Sequence, residues 1–167
     1  MPASDQGVFP DRYQIIPRVL VFAIDDGRVL LLKGAPAKRL WANQNNGVGG
    51  HIEQGESVMA AARREFQEET GLELSSAHLA AVVMIDTGEP IGISMHVFQA
   101  TAQPGELKPS AEGTLEWVPF EEIFNRPLVE DLPKLLPIVL NWHPGEPPIF
   151  AKYSYNKSQE LHILWNE

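Results

Sequence analysis

The chain has no cysteine among its 167 residues. A disulfide framework, a thiolate zinc site and a cysteine nucleophile are therefore excluded. Long apolar runs are also absent, since the longest covers only residues 79–85, far short of the roughly 18 residues that suggest a membrane span. The first ten residues lack the basic-then-apolar pattern of a secretory signal. We therefore expect a cytoplasmic protein without a membrane partner.

Basic residues are few, with 13 Lys and Arg against 22 Asp and Glu and a net charge of −9. Proteins that bind a nucleic-acid backbone need a surface rich in Lys and Arg, so no nucleic-acid polymer is expected as a partner. An acidic protein that handles phosphates needs divalent cations to mediate the contact. The length is close to the roughly 150 residues of a typical domain. It predicts one domain over residues 1–167 and leaves monomer and homodimer both open.

Hydrophobic patterning predicts a set of strands and two helices. The predicted strands cover residues 15–24, 28–33, 79–85, 93–101 and 114–118, with a terminal hairpin over about 149–165. Residues 34–46 are predicted to form a loop. Residues 57–70 are predicted to be a helix that Ser57 caps and Gly71 ends, and a second helix is expected over residues 132–140 with a kink at Pro137. Strands flanked by helices predict an α/β fold with a mixed sheet.

Three acidic side chains cluster on the first predicted helix. At about 100° per residue, Glu68 and Glu69 lie about 60° and 40° to either side of Glu65, next to the apolar face. Their repulsion, and their place near the negative end of the helix dipole, cost about 1–2 kcal/mol. A divalent cation such as Mg²⁺ removes that conflict. The alternative is a solvated acidic face that Arg63 and Arg64 partly neutralise.

The residues around this cluster form a longer pattern. It consists of Gly50, five residues, Glu56, seven residues, Arg64-Glu65-Phe66, one residue, Glu68-Glu69, one residue, and Gly71-Leu72. This pattern resembles the signature of the Nudix hydrolases at every defined position, and we call residues 50–72 the Nudix box. The resemblance implies an α/β/α sandwich, with the mixed sheet between helices.

The resemblance also implies a reaction. Nudix hydrolases cleave a nucleoside diphosphate linked to another group, with Mg²⁺ or Mn²⁺ as cofactor. In this chain the implied metal ligands are Glu65, Glu68, Glu69 and the carbonyl of Gly50. Glu56 is expected to support the metal site, and Arg64 to orient a glutamate through a salt bridge. Metal ions of this kind hold the diphosphate and activate a water for in-line attack.

Further resemblance points to the MutT-like branch, which hydrolyses oxidised purine nucleoside triphosphates. The stretch from Trp41 to Gly50 is similar to that branch's sequence before the box, which implies that Asn46 reads the purine edge. An amide offers both a donor and an acceptor for that purpose. The alternative is that the Asn46-Gly47 pair only makes a turn.

Other candidates lie outside the box. The resemblance implies a downstream glutamate that binds metal or acts as general base, and we favour Glu112 over Glu116 because Glu112 precedes the predicted strand. Glu130 and Asp131 fall where some relatives place acids against the purine, although Asp131 could instead cap the second helix. Basic residues before the Asn-rich segment could meet phosphates or remain solvated; they are Lys33, Lys38 and Arg39.

The sequence therefore predicts a Mg²⁺-dependent pyrophosphohydrolase with a small-molecule nucleotide as its substrate. It would convert a nucleoside triphosphate, such as the oxidised purine nucleotide 8-oxo-dGTP, into the monophosphate and pyrophosphate. One alternative is hydrolysis of another nucleoside diphosphate derivative, for example ADP-ribose. A second alternative is a nucleotide-binding Nudix module without catalytic activity.

Overall fold

The computed structural model describes residues 2–166. Met1 and Glu167, which the predicted domain 1–167 includes, lie outside the described residues. Within residues 2–166 the α-helices are α1 (Val58–Thr70) and α2 (Leu132–Asn141), and short 3₁₀ turns cover Ala3–Gln6 and Phe120–Asn125. The strands are β1 (Gln14–Asp25), β2 (Arg28–Gly34), β3 (Asn45–Asn46), β4 (Val48–His51), β5 (Leu74–Ile85), β6 (Ile91–Ala102), β7 (Gly113–Pro119), β8 (Ile149–Tyr155) and β9 (Leu161–Trp165). No helix in this range is long and apolar enough to cross a membrane.

The strands form one mixed sheet in the order β3-β2-β1-β6-β5-β8-β9, with β4 paired to β1 and β7 paired to β2. The β1–β6 and β5–β8 pairs are parallel, whereas β4 runs antiparallel to β1. Strand β1 lies at the centre of this arrangement. Its residues Arg18, Val19 and Leu20 face His51, Gly50 and Gly49 of β4, respectively. The register therefore fixes β1 beside the first residues of the Nudix box.

Side chains of β1 alternate between two hydrophobic cores. Val19, Val21 and Ala23 pack with Phe66 of α1 on one side of the sheet. Leu20 and Phe22 pack on the other side with the apolar residues of α2, which are Leu132, Leu135, Leu136 and Val139. A strand that is apolar on both faces is expected where helices cover both sides of a sheet. The predicted α/β/α sandwich is confirmed.

The ends of α1 follow from local chemistry. Ser57 lies before the first turn in extended conformation, and its Oγ accepts a hydrogen bond of 3.1 Å from the amide of Ala60. Gly71 ends the helix at φ 77°, in the left-handed region that glycine adopts at low cost. Ala61, Ala62 and Phe66 are buried, so α1 presents its acidic residues at the edge of its packed face.

Several elements differ from the sequence prediction. The predicted loop over residues 34–46 ends in strand β3, because Asn45 pairs with β2 on one side and with Leu128 on the other. Strand β5 begins at Leu74 instead of residue 79, since the hydroxyl groups of Ser75 and Ser76 form hydrogen bonds with the hydroxyl of Thr101 on the neighbouring strand β6. Helix α2 continues through Pro137 to its end at Asn141.

Candidate functional site

A cavity of about 620 Å³ lies where β1, β4, α1 and the loop before β7 meet. The acidic part of its lining, called the acidic wall here, consists of Glu53, Glu65, Glu68, Glu69 and Glu112. The apolar part, called the apolar wall here, contains Leu20, Leu32, Leu40, Trp41 and Met95. Its volume falls within the 300–1,000 Å³ typical of small-molecule sites. The cavity thus combines carboxylates with an apolar surface that could hold a flat organic group.

The acidic wall begins at the contact between Gly50 of β4 and Glu65 of α1. A Cβ placed on Gly50 would lie 2.6 Å from Oε2 of Glu65. No side chain other than hydrogen therefore fits at residue 50 without displacing that carboxylate. The Glu65 side chain is 15% exposed, whereas Glu68 is 62% exposed at the mouth of the cavity. Both glutamates line the cavity, as their helical spacing predicted.

Arg64 is hydrogen-bonded to several of the acidic residues at once. It donates to Glu56 at 2.6 and 2.9 Å, to Glu65 at 2.9 Å and to Glu68 at 3.1 Å. A further bond of 3.0 Å reaches the carbonyl of His51. The guanidinium of Arg64 and the backbone amide of Glu53 hold the pKa of Glu56 well below its usual range, at about 2. The repulsion expected from the sequence is therefore offset in part by Arg64, and Glu56 and Arg64 support the site without lining the cavity.

Glu69 has a different environment from the other glutamates. Its Oε2 is buried and has no hydrogen-bond partner among residues 2–166. Burial, followed by the nearby charges of Glu65 and Glu112, raises the pKa of Glu69 to about 7, while Lys38 and the backbone amide of Gly49 lower it by less. A buried carboxylate oxygen without a partner is unfavourable. This atom is therefore well suited to accept a cation.

The donor set fits a divalent cation. Hard cations such as Mg²⁺ bind carboxylate oxygens, and Mg²⁺ usually keeps several waters when only one or two carboxylates reach it. The unpartnered oxygen of Glu69 and the close fit of Glu65 against Gly50 both point to such an ion. Within residues 2–166, no three Asp, Glu or His side chains converge closely enough to surround one ion by themselves. Water or substrate oxygens would have to complete the coordination.

Glu112 and Glu116, the two candidates for the downstream glutamate, lie in different surroundings. Glu112 lines the cavity and forms an ion pair with Lys38 of the facing loop. Glu116 does not line the cavity, and its carboxylate accepts two bonds of 2.8 Å from Arg126 on the outer surface. The backbone amide of Ala35 donates to the carbonyl of Glu112 at 2.9 Å, so the two loops are joined at this edge of the cavity.

Asn46 lines the cavity, and Asn46 and Gly47 lead directly from β3 into β4 without forming the turn that was the alternative interpretation. The Oδ1 of Asn46 accepts a bond of 2.8 Å from the amide of Gly47. The Nδ2 group has no protein partner within residues 2–166 and remains available as a donor. The neighbouring Asn45 has a structural role, because its Nδ2 donates to the carbonyl of Pro127 at 2.8 Å.

The structure does not bring Arg39 and Asp131 to the cavity. Arg39 is exposed on the loop after β2. Asp131 is half-buried at the start of α2, and burial raises its pKa. Asp131 occupies the N-cap position of α2, as the alternative interpretation expected, but its side chain makes no capping bond. The reason for its position is the pairing of residues 127–129 with Asn45, which holds the start of α2 against β3.

Arg18 is a cavity residue that the sequence analysis missed. It lies on β1 between Met95 of β6 and His51 of β4, and it lines the cavity together with both. The signal was present, since Arg18 is the one charged residue in an otherwise apolar stretch over residues 15–24. Its position opposite the box depends on strand register and could not be read locally.

Comparisons with known proteins agree with this architecture. The NUDIX domain family model matches residues 15–138. The oxidized purine nucleoside triphosphate hydrolase of Danio rerio is 33% identical over 115 residues, which cover 68% of this chain and 72% of that protein. The Nudix hydrolase YvcI of Bacillus subtilis is 30% identical over 141 residues, covering 81% and 84% of the two chains. A crystal structure of a MutT protein from Bacillus halodurans superposes with a TM-score of 0.76 at 25% identity, over 90% of this chain and 97% of that one.

Proposed function

The chain belongs to the Nudix hydrolase family, in its MutT-like branch, and from this premise we propose that it is a Mg²⁺-dependent nucleoside triphosphate pyrophosphohydrolase. The proposed reaction converts a nucleoside triphosphate into the monophosphate and pyrophosphate. Oxidised purine nucleotides such as 8-oxo-dGTP are the proposed substrates, with no nucleic-acid polymer as a partner. We also propose that residues 1–167 act as one domain in the cytoplasm.

The observation that carries this proposal is the cavity with one acidic and one apolar wall. A nucleotide has the matching division, with a charged phosphate chain at one end and a flat base at the other. The acidic wall would repel a bare triphosphate, so the fit depends on a divalent cation. The similarity to the Danio rerio oxidized purine nucleoside triphosphate hydrolase supports the same substrate class.

In the proposed mechanism the carboxylates of α1 hold the cation. The proposed ligands are Glu65, Glu68, Glu69 and the carbonyl of Gly50, and the three side chains would have to move toward each other to share one ion, since they do not converge on one point within residues 2–166. When bound, Mg²⁺ supplies charge neutralisation of the phosphates and lowers the pKa of a bound water. Arg64 fixes Glu65 and Glu68 in place, and Glu56 in turn fixes the guanidinium of Arg64. This arrangement limits the reorganisation that the site needs before reaction.

Two further residues complete the proposed site. Glu112 lies on the acidic wall near Glu69 and takes the proton of the attacking water or binds metal. Its pairing with Lys38 keeps the carboxylate at the cavity edge. Asn46 offers its Nδ2 donor to the base, which would lie between Leu20, Leu40 and Trp41 on the apolar wall.

A substrate panel tests the proposal. The kcat/KM for pyrophosphate release is measured with Mg²⁺ on 8-oxo-dGTP, dGTP, dATP, dCTP and ADP-ribose, with Mn²⁺ as a second metal. We expect the highest value for an oxidised purine triphosphate and no turnover in EDTA. A preference for ADP-ribose would identify the enzyme as a hydrolase of another nucleoside diphosphate derivative. Binding of nucleotides without turnover of any of them would leave only the non-catalytic module.

A further inference from the structure

Arg18 lines the cavity, and its charged side chain is only partly exposed to solvent. The next five residues of β1, Val19 to Ala23, are all buried. Arg18 itself is half-buried, and burial lowers the pKa of its guanidinium. A cationic group that loses water without gaining a partner destabilises the folded protein.

The guanidinium of Arg18 has no partner within the described part of the chain. Its Nε is buried and makes no hydrogen bond, and no ion pair joins Arg18 to any carboxylate of residues 2–166. Lys38 is the other Lys or Arg that lines the cavity among these residues, and it is paired with Glu112. Arg18 is therefore the cavity cation that is free to bind a ligand.

Residues 18–20 of β1 reach both walls, because Val19 lies on the α1 face of the sheet whereas Arg18 and Leu20 lie on the opposite face. Val19 faces Gly50, the residue that contacts Glu65, while Arg18 itself faces His51. The next residue on the same face of β1 is Leu20, which belongs to the apolar wall. A ligand that spans both walls would thus pass Arg18 between its apolar part and its metal-bound part.

We propose that Arg18 binds the phosphate chain of the nucleotide, and so orients it between the base pocket and the acidic wall. This inference rests on the proposed function, because it takes a nucleoside triphosphate as the ligand. Phosphate is the group that such a ligand carries between the two walls. The planar fork of donors in a guanidinium matches two phosphate oxygens. A bound phosphate would also satisfy the buried Nε donor.

Pyrophosphate is the probe that tests this role without turnover or a base. The dissociation constant of inorganic pyrophosphate is measured by calorimetry, in the presence of Mg²⁺, for the wild-type protein, Arg18→Gln and Arg18→Lys. Arg12→Gln is the matched control, since Arg12 is exposed and outside the cavity and the change in net charge is the same. We expect Arg18→Gln to weaken binding at least about tenfold, the loss of one charge-assisted hydrogen bond. Arg18→Lys should recover part of the lost affinity, and Arg12→Gln should change the dissociation constant less than twofold.

The same variants separate a phosphate contact from a base contact or a structural role. In nucleotide hydrolysis, Arg18→Gln should raise KM by a similar factor for dGTP and dCTP. The melting temperature of this variant without ligand should stay level or rise, because an unpaired, partly buried charge is replaced by a neutral amide. If the Gln variant does not fold, Arg18→Met replaces it, since Met keeps an apolar stem beside Met95.

Three results would overturn the proposal. The first is unchanged pyrophosphate affinity in Arg18→Gln, or no measurable binding to the wild-type protein. The second is a loss confined to one base, which would assign Arg18 to base recognition. The third is an equal loss in Arg18→Lys together with a lower melting temperature, which would make the role structural. A wild-type protein that binds pyrophosphate but hydrolyses no nucleotide would contradict the proposed function and leave the role of Arg18 in phosphate binding intact.

Discussion

Gly50 and Glu65 are in such close contact that a Cβ on Gly50 would lie 2.6 Å from Oε2 of the glutamate. The atoms that a larger residue would meet belong to the far end of a flexible side chain. Gly49 is different, because a Cβ there would meet the backbone of β1, with the Cα of Leu20 only 3.0 Å away. Adjacent glycines in β4 thus have separate reasons for being glycine.

We predict that Gly50→Ala folds normally and loses activity. The new methyl group pushes the Glu65 carboxylate away from its place in the cavity, so hydrolysis should fall at least about tenfold, the scale of losing a positioned electrostatic group. The melting temperature should stay within a few degrees of wild type. Gly49→Ala is the matched variant and should melt well below wild type, because backbone has to move. Equal losses of stability in the two variants would contradict this assignment.

Glu68→Gln should separate catalysis from stability. Glu68 is 62% exposed and its pairing with Arg64 is that of an exposed ion pair, which contributes at most about 1 kcal/mol. Removing its charge should therefore leave the metal-free melting temperature nearly level. Steady-state hydrolysis should fall at least about a hundredfold, as for the loss of a strong electrostatic stabiliser. A variant that melts much earlier and keeps full activity would refute the role of Glu68 as a metal ligand.

Glu112 and Glu116 form a natural pair of test and control. Glu112→Gln removes a carboxylate of the cavity wall, so we expect kcat to fall by about 10²-fold or more, the typical contribution of a general acid or base. Glu116→Gln alters only a surface pair with Arg126 and should keep kcat within twofold of wild type. Both variants are assayed at saturating substrate and Mg²⁺. The assignment is wrong if the Glu116 variant loses more activity.

Glu69 should make the metal-free protein less stable as pH rises through neutrality. Its pKa is about 7 in the folded protein, compared with the ordinary glutamate value of 4.5 in an unfolded chain. Between these values the folded protein binds a proton that the unfolded chain has released, so the free energy of unfolding falls as pH increases. The loss is complete roughly one pH unit above 7.

Thermal melts in EDTA between pH 5 and 8 check this prediction. The Glu69→Gln variant should show a flatter dependence of melting temperature on pH over that window. Glu56 does not interfere, because its pKa of about 2 places its own contribution below the window. A slope in the variant equal to that of wild type would show that other groups cause the dependence.

Local patterns in the sequence were sufficient for α1 and its acids. Ser57, Gly71 and the spacing of Glu65 and Glu68 act within one or two helical turns, so the helix and its acidic edge could be read directly. The position of Asp131 could not be read in this way. It depends on a contact between Asn45 and Pro127, which are 82 residues apart, and no short pattern encodes such a pairing.

Arg18 illustrates the same limit in a strand. Its type and its place in an apolar run are visible in the sequence, but its neighbours His51 and Met95 come from strands that pair through the fold. The pairing of β1 with β4 and β6 therefore determines that Arg18 reaches the cavity. The fold also places Glu112 in the cavity lining and Glu116 outside it, although they are only four residues apart.

The acidic wall and the apolar wall are supplied by different stretches of chain. Helix α1 carries the three glutamates of the Nudix box, whereas Leu40, Trp41 and Asn46 come from the segment between β2 and β4. In the proposed function, substitutions in that segment would alter which nucleobase fits while leaving the proposed metal-binding carboxylates in place. Descendants of such a scaffold can consequently acquire new substrates by exchanging a few loop residues, with bond cleavage itself retained.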